Sequence, residues 1–521
     1  MAIKRYFATK DNTITNAFKS DLITRGTGSN MGQADILEIF SIYGQDSSSS
    51  GLSSELSRVI LEFDTTQIAN DRSAGLIPNS GSMSFHLKMF NAKHGQTLPK
   101  NYTIEIKAVT GSDDGSREWE EGFGLDMEGY SDSTAGATGS NWINRKAHTA
   151  WTNQGGDYCN PDTDTSSSFT QVFSAGTEDL EVDVTTLVEQ WVNSNGNVLG
   201  SKNNYGFGVM LSSSHETDER SFYTKKFFAR SSEFFFRRPV LEARWDSRDL
   251  DNRGNFIYSS SLATADENLN KIYLYNYFRG QLRNIPSVGT GNIYVSFFSG
   301  SADDTAPSGS ALELVVDGVH VTAAGRNKVV TGSYSSTGIY TASVALTASG
   351  TPLETVYDVW FQGGDSIADA TQATVQFKTG SIKPEVLDSY SIAPSDKYVT
   401  NITNLKQTYS RKETARFRVY TRHKNWSPTI YNVASTAIEN YPIESGSYKV
   451  FRVIDELDVV PYGTGSSLHT GMSYDVSGNY FDLDISMLEA GYMYGVMFTY
   501  YNNSINDWVE QPEIFKFRVE E

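Results

Sequence analysis

Three tryptophans crowd one stretch of the chain, Trp119, Trp142 and Trp151, although the 521 residues include only eight. Exposed indoles stack on the apolar faces of sugar rings, and Glu120, Glu121 and Asp157 beside them would bind sugar hydroxyls. The same indoles would serve equally well as apolar plugs for the open end of a β-sandwich, and the sequence leaves both readings open. A second oxygen-rich group, Asp113, Asp114, Asp126 and Glu128, sits on the same Gly-rich stretch, but without the D-x-D-x-D-G spacing of an EF-hand. A solvated acidic loop is the expectation there, and no metal ligands are assigned.

Other chemistry finds little support. The seven histidines include no i, i+4 pair and no HExxH pattern, so a zinc-hydrolase reading has no basis. A lone cysteine, Cys159, excludes a thiolate zinc site built within one chain. Neither a GxSxG elbow nor a P-loop is present. A glycosidase carboxylate pair needs no motif, so a polysaccharide-active enzyme stays as the least favoured alternative. The expectation is a protein that is not an enzyme and carries no cofactor.

The formal net charge of −19 argues against a nucleic-acid partner, which needs a basic surface to displace phosphate counterions. It also argues against adsorption to anionic membrane. No run of 18 apolar residues is present, so no membrane insertion is expected. The opening MAIKRYFATKDNT lacks an apolar h-region, and one cysteine suits assembly in a reducing cytoplasm. One stretch runs against the overall charge. Lys225, Lys226, Arg230, Arg237 and Arg238 interleave with Phe227, Phe228 and Phe234 to Phe236. The expectation is strand alternation with Phe inward and Lys or Arg outward, the basic face being available to dock an acidic neighbour. Arg416, Arg418 and Arg422 alternate in the same way.

These residues need a scaffold, and composition points to an all-β one. Aromatics make up 12%, and Gly is plentiful at 43. Strands are predicted at Arg5–Ala8, Ile36–Tyr43, Arg58–Asp64, Gly81–Phe90, Tyr102–Val109, Leu180–Val184, Tyr205–Leu211, Tyr223–Arg230 and Arg238–Trp245. Residues 111–168 break the pattern as one long insertion, and loops of that length inside a domain are usually functional or mobile. A short helix is predicted over Thr185–Asn193, where Leu187, Val188, Trp191 and Val192 share helical spacing and Asp183 or Thr185 supplies a cap. Ser221–Asp246 should close the unit as two strands, with Ser57–Asp64 as the expected partner, by pairing or by stacking.

The serial order SRVILEFD, SFHLKMF, IEIKAV, REWEEG, NW, AW, GGDY, VDVTTLVEQWV, NYGFGVML and RRPVLEARW resembles a DNRLRE-type domain over residues 1–246. The resemblance implies a jelly-roll-like β-sandwich akin to carbohydrate-binding modules, found in cell-surface, secreted and phage structural proteins. Trp119, Glu121, Trp142, Trp151 and Gly155-Gly156-Asp157 match positions that recur in such domains, which makes Trp119, Glu121, Trp142, Trp151 and Asp157 the candidate ligand-binding residues.

Residues 247–268 read as a polar linker. Beyond it, S-Y-x-x-x-G-x-Y begins at Ser333 and again at Ser473, an offset of 473 − 333 = 140, and Phe377-Lys378 and Phe517-Arg518 keep the same offset. Two tandem β-modules follow, at 269–393 and 394–521, and their Gly-x-Tyr step resembles immunoglobulin-like modules. The combined expectation is a virion structural protein of a tailed bacteriophage, made in the host cytoplasm, serving as a tail, neck or head-appendage component. Its expected partners are other virion proteins and further copies of itself, with a glycan as an additional candidate. The alternative is a carbohydrate-binding surface protein using the loop 111–168.

Overall fold

The computed structural model describes residues 2–19, 23–42, 55–95, 99–110, 118–125, 139–218, 223–301, 306–316, 319–320, 327–363, 367–387, 397–427, 429–430 and 440–521. Their contacts define two units. One comprises Ala2–Asp246 with Ser467–His469, the other Ser247–Ser466 with Thr470–Glu521. The protein is all-β, built of β-sandwiches with short helices between strands.

The first unit contains β1 (Ile3–Phe7), β2 (Lys10–Thr15), β3 (Ile36–Ile42), β4 (Glu55–Glu62), β5 (Ser84–Met89), β6 (Tyr102–Ala108), β7 (Asn144–Lys146), β8 (Thr149–Ala150), β9 (Ser168–Phe173), β10 (Leu180–Asp183), β11 (Phe207–Leu211), β12 (Tyr223–Phe228) and β13 (Val240–Arg244). Period-two alternation sends one face of each strand inward. Val59 and Leu61, Phe85 and Leu87, Ile104 and Ile106, and Leu241 thus meet in one core. The pairings nest: β6 with β9, β5 with β10, β4 with β11, and β1 with β13, all antiparallel. Alternate nested pairs fall in alternate sheets, giving β1-β13-β5-β10 opposite β4-β11-β6-β9. That connectivity is a jelly roll. β3 extends the second sheet beyond β4, and β12 extends it beyond β3.

Nesting decides between two expected arrangements. Ser221–Asp246 does hold two strands, but β12 pairs with β3 and β13 pairs with β1 and β5. Neither strand pairs with β4, whose edges are taken by β11 on one side and by β2 and β3 on the other; β13 lies in the opposite sheet, with Leu241 in the same core as Val59 and Leu61, so of pairing and stacking it is stacking that occurs. The expected Phe-in, Lys-out alternation is corrected. Lys225 shares the inward face with Phe227, since residues two apart on a strand point the same way. Its Nζ donates to Asn91 Oδ1 (2.7 Å), Gly176 O (3.0 Å) and Glu178 O (2.6 Å). Burial brings its pKa down to about 8.

The predicted helix is present as Thr185–Val192, with Asp183 Oδ1 accepting from Thr185 N and Asn193 ending it in a left-handed conformation. A second helix, Thr65–Ser73, begins where Asp64 accepts from Thr66 N. The Asp-Thr-Thr run that read as a strand stop is therefore also a helix cap. Arg72 of that helix pairs with Glu189 of the other through both guanidinium nitrogens.

The second unit holds two Ig-like sandwiches. In the first, Asn270–Tyr275, Ile339–Leu346 and Val330–Ser336 pair in that order, Val330–Ser336 passes on to pair with Ile293–Gly300, and Val356–Gln362 and Val375–Ile382 follow. In the second, Tyr398–Ile402, Thr414–His423, Gly478–Asp484 and Ser473–Asp475 face a sheet of Thr408–Ser410, Phe515–Glu520, Met493–Asn502, Gly446–Arg452 and Leu457–Val460. Both copies of the repeated motif form a hairpin. Gly338 (φ +73°) and Gly478 (φ +102°) take the positive φ that the turn requires. Tyr340 then anchors its sandwich by donating to Gly289 O and accepting from Ile285 N.

The polar stretch 247–268, read as a linker, is firmly packed within this unit. Phe256 and Tyr258 enter the core, and Arg253 clamps the fully buried Asp358 through two 2.6 Å contacts. Arg416 and Arg418 find their acids, Asp482 and Asp475, within their own sandwich.

Candidate functional site

Strand β4 has two apolar faces. Val59 and Leu61 point into the main core, while Leu56 and Ile60 point outward with Arg58 between them. An outward apolar face must be covered, and the Trp-rich insertion covers it. Trp119, Trp142 and Trp151 pack with Ile14, Ile60 and Val109 as a second, smaller core.

Each indole is held by specific contacts. Trp119, 1% exposed, donates its Nε1–H to Tyr205 O at 3.0 Å. Trp151 donates to Asn141 O at 2.9 Å. Arg58 lies over the rings of Trp142 (5.3 Å) and Tyr158 (5.6 Å) and forks onto Glu216 at 2.9 and 2.6 Å. Gly155, at φ +85°, lies so close that a Cβ would come within 2.8 Å of the Trp142 ring. Asp157 accepts from Thr152 N, Asn153 N and Asn153 Nδ2, pinning the turn that carries the two glycines. Burial pushes the Tyr158 hydroxyl well above its usual range.

Glu121 belongs to a different cluster. Arg230 clamps its carboxylate with two 2.5 Å contacts, and Asp11 N donates to Oε1 at 2.9 Å. Asp11 is 1% exposed; its Oδ2 accepts from Arg230 N at 2.6 Å, while its Oδ1 has no hydrogen-bond partner. Burial first, and the neighbouring Glu121 charge after it, raise Asp11 to about 7 against the pull of Arg230.

The structure therefore gathers Trp119, Trp142 and Trp151 into one layer. Trp119 and Glu121 also border an open cleft of about 530 Å³, whose wall includes Lys10, Glu118, Glu120 and the 67%-exposed Phe123. Trp142, Trp151 and Asp157 do not line it. Glu120 accepts weakly from Gly139 N and Ala147 N. Sequence reasoning missed Arg58 and Asp11, and set Arg230 on a docking face where the structure bonds it to Glu121. An Arg at an outward position of an otherwise apolar strand was the available signal for Arg58; the other two become partners only through pairing of distant strands. Asp113, Asp114, Asp126 and Glu128 lie outside the described residues. Among the described residues, no three His, Cys, Asp or Glu side chains converge as metal ligands.

No family model matches this chain, and no curated protein matches it. Among solved structures, a marsupial T cell receptor is similar at 8% identity and TM-score 0.15, over 52% of this chain and 71% of that one. Tandem Ig domains A164–A165 of titin give 12% identity and TM-score 0.13, over 40% and 79%. A Salmonella alpha-2-macroglobulin reacted with methylamine gives 8% identity and TM-score 0.15, over 99% of this chain and 28% of that one.

Proposed function

We propose that this chain is a non-enzymatic structural component of a tailed-bacteriophage virion, working by assembly with other virion proteins and with copies of itself. One observation carries the reading: the side chains best suited to chemistry in the first unit are committed to packing. The three indoles form a second core, Arg58 is locked to Glu216, and Glu121 is locked to Arg230. Three sandwiches in series, stabilised without any internal disulfide, suit a building element of a particle. The test is mass spectrometry of purified particles together with light scattering of the isolated chain. The protein is expected in the particles and above monomer mass in solution. Its absence from particles would end the virion reading.

A second reading, glycan binding at the insertion, is favoured by the cleft beside Trp119 and Glu121 with its projecting Phe123. Retention on polysaccharide gels, weakened in Phe123→Ala, is its expected signature.

A further inference from the structure

The last sandwich carries an aromatic group of a different kind. Tyr398 opens its first strand, Tyr441 lies on the segment that runs beside Thr421, and Tyr501 sits near the end of Met493–Asn502. The rings of Tyr398 and Tyr441 stack at 5.8 Å with a 22° interplanar angle, and His423 supports both at 5.3 and 4.5 Å. Tyr501 is braced edge-on by Trp508 at 5.5 Å. Tyr441 remains 43% exposed, and Tyr398 and Tyr501 are half-buried. These rings frame a recess of about 130 Å³ whose remaining wall includes Glu444, Ser445 and Asn503.

The recess is well below the ~300–1,000 Å³ of pockets for drug-sized ligands, so it suits one ring-sized group. Its wall sets the three tyrosines beside a carboxylate, a hydroxyl and an amide, the Glu444 Oε1 already accepting from Asn255 Nδ2 at 3.1 Å. A pyranose ring has matching chemistry: an apolar face of C–H groups and an edge of hydroxyls. Backbone pairing holds the walls in place. Tyr441 N donates to Thr421 O at 2.7 Å and Tyr501 N to Ser445 O at 2.9 Å, so the aromatic and polar walls are tied to one sheet pair. A tyrosine, with an apolar body and a polar tip, is well suited to such an amphipathic guest.

We infer that this recess is a carbohydrate subsite that receives one pyranose residue of a larger glycan, stacked on Tyr441 and hydrogen-bonded by Glu444, Ser445 and Asn503. It is separate from the Trp-rich insertion and does not rest on the virion reading.

The test probes the full chain on an array of pyranose oligosaccharides and bacterial surface polysaccharides, then titrates the best-retained oligosaccharide by calorimetry. The wild-type chain is expected to bind, Tyr441→Ala and Asn503→Ala to bind roughly tenfold more weakly, and Tyr441→Phe to stay within about threefold. Val198→Ala, at a 92%-exposed position that lines neither the cleft nor the recess, is expected to leave binding unchanged. Circular dichroism melts identify any variant that fails to fold, and the two independent substitutions keep the comparison available. No retention of the wild-type chain on the array overturns the inference, as does full binding by both Tyr441→Ala and Asn503→Ala. Loss of binding in Phe123→Ala alone overturns it too, and assigns the glycan to the cleft of the first unit. None of these outcomes bears on whether the protein is found in particles.

Discussion

The Trp-rich layer over β4 and the tyrosine recess of the last sandwich are both aromatic clusters, yet they are put to opposite use. The indoles are buried, and the ring nitrogens of Trp119 and Trp151 are already hydrogen-bonded to backbone carbonyls. The tyrosines keep ring surface toward solvent, beside unburied polar side chains. Aromatic content is a poor guide to recognition on its own. What separates the two clusters is whether a second apolar surface lies opposite the rings. Outward Leu56 and Ile60 supply that surface for the indoles.

The comparison can be broken from the packed side first. Trp119→Ala should cost about 3–5 kcal/mol, the usual range for emptying a large aromatic site, as read by urea denaturation of the first unit. A loss below about 1 kcal/mol would show that the layer is not a core. Next, Asp11 of the neighbouring Glu121–Arg230 cluster links the first unit to pH. Its folded pKa of about 7 stands above the ordinary 3.8 of an aspartate, so the native state holds a proton that the unfolded chain releases. Stability should therefore fall as pH climbs from about 4 to about 7 and level off above. Asp11→Asn should remove that slope and leave the protein roughly 2–4 kcal/mol more stable at pH 8 relative to pH 4 than wild type is. Denaturation curves with an unchanged slope would mean that Arg230 holds Asp11 ionised throughout.

Gly155→Ala should destabilise by about 2 kcal/mol, because positive φ and contact with Trp142 act together. The smallest effect is expected from the recess. Tyr441→Ala should change thermal stability by about 1 kcal/mol or less, as its ring is largely outside the core. A loss as large as that of Trp119→Ala would make the two clusters alike after all.

Much of this architecture can be read locally. The helix Thr185–Val192 announces itself through Leu187, Val188 and Trp191 at helical spacing and through Asp183, whose Oδ1 accepts from Thr185 N just before it. The helix Thr65–Ser73 does not, since TTQIANDRS offers one buried apolar residue, Ile68, and is held by the Arg72–Glu189 pair and a capping Asp64. Strand positions were legible from alternation, whereas partners were not. Alternation states which face is inward, but the nested order depends on residues from 168 − 107 = 61 to 244 − 3 = 241 positions apart. The same limit hides the sites. Trp119 and Glu121 stand two apart in sequence and end in different clusters, while Tyr398, Tyr441 and Tyr501 come from three separated segments with no shared motif.

Nested pairing also has a consequence in time. Arg5 of β1 bonds Glu242 of β13 at 237 residues' separation, and the two strands share a ladder five residues long. A ribosome adding roughly 5–20 residues per second needs on the order of tens of seconds to deliver β13 after β1 has appeared. Throughout that interval β1 has no native neighbour on that edge, and the sheet it belongs to lacks its second strand. Closure of the jelly roll is thus a late, non-local event, slow by topology. Holding an early strand out of wrong pairings until its partner arrives is a demand that this fold places on the cell that makes it.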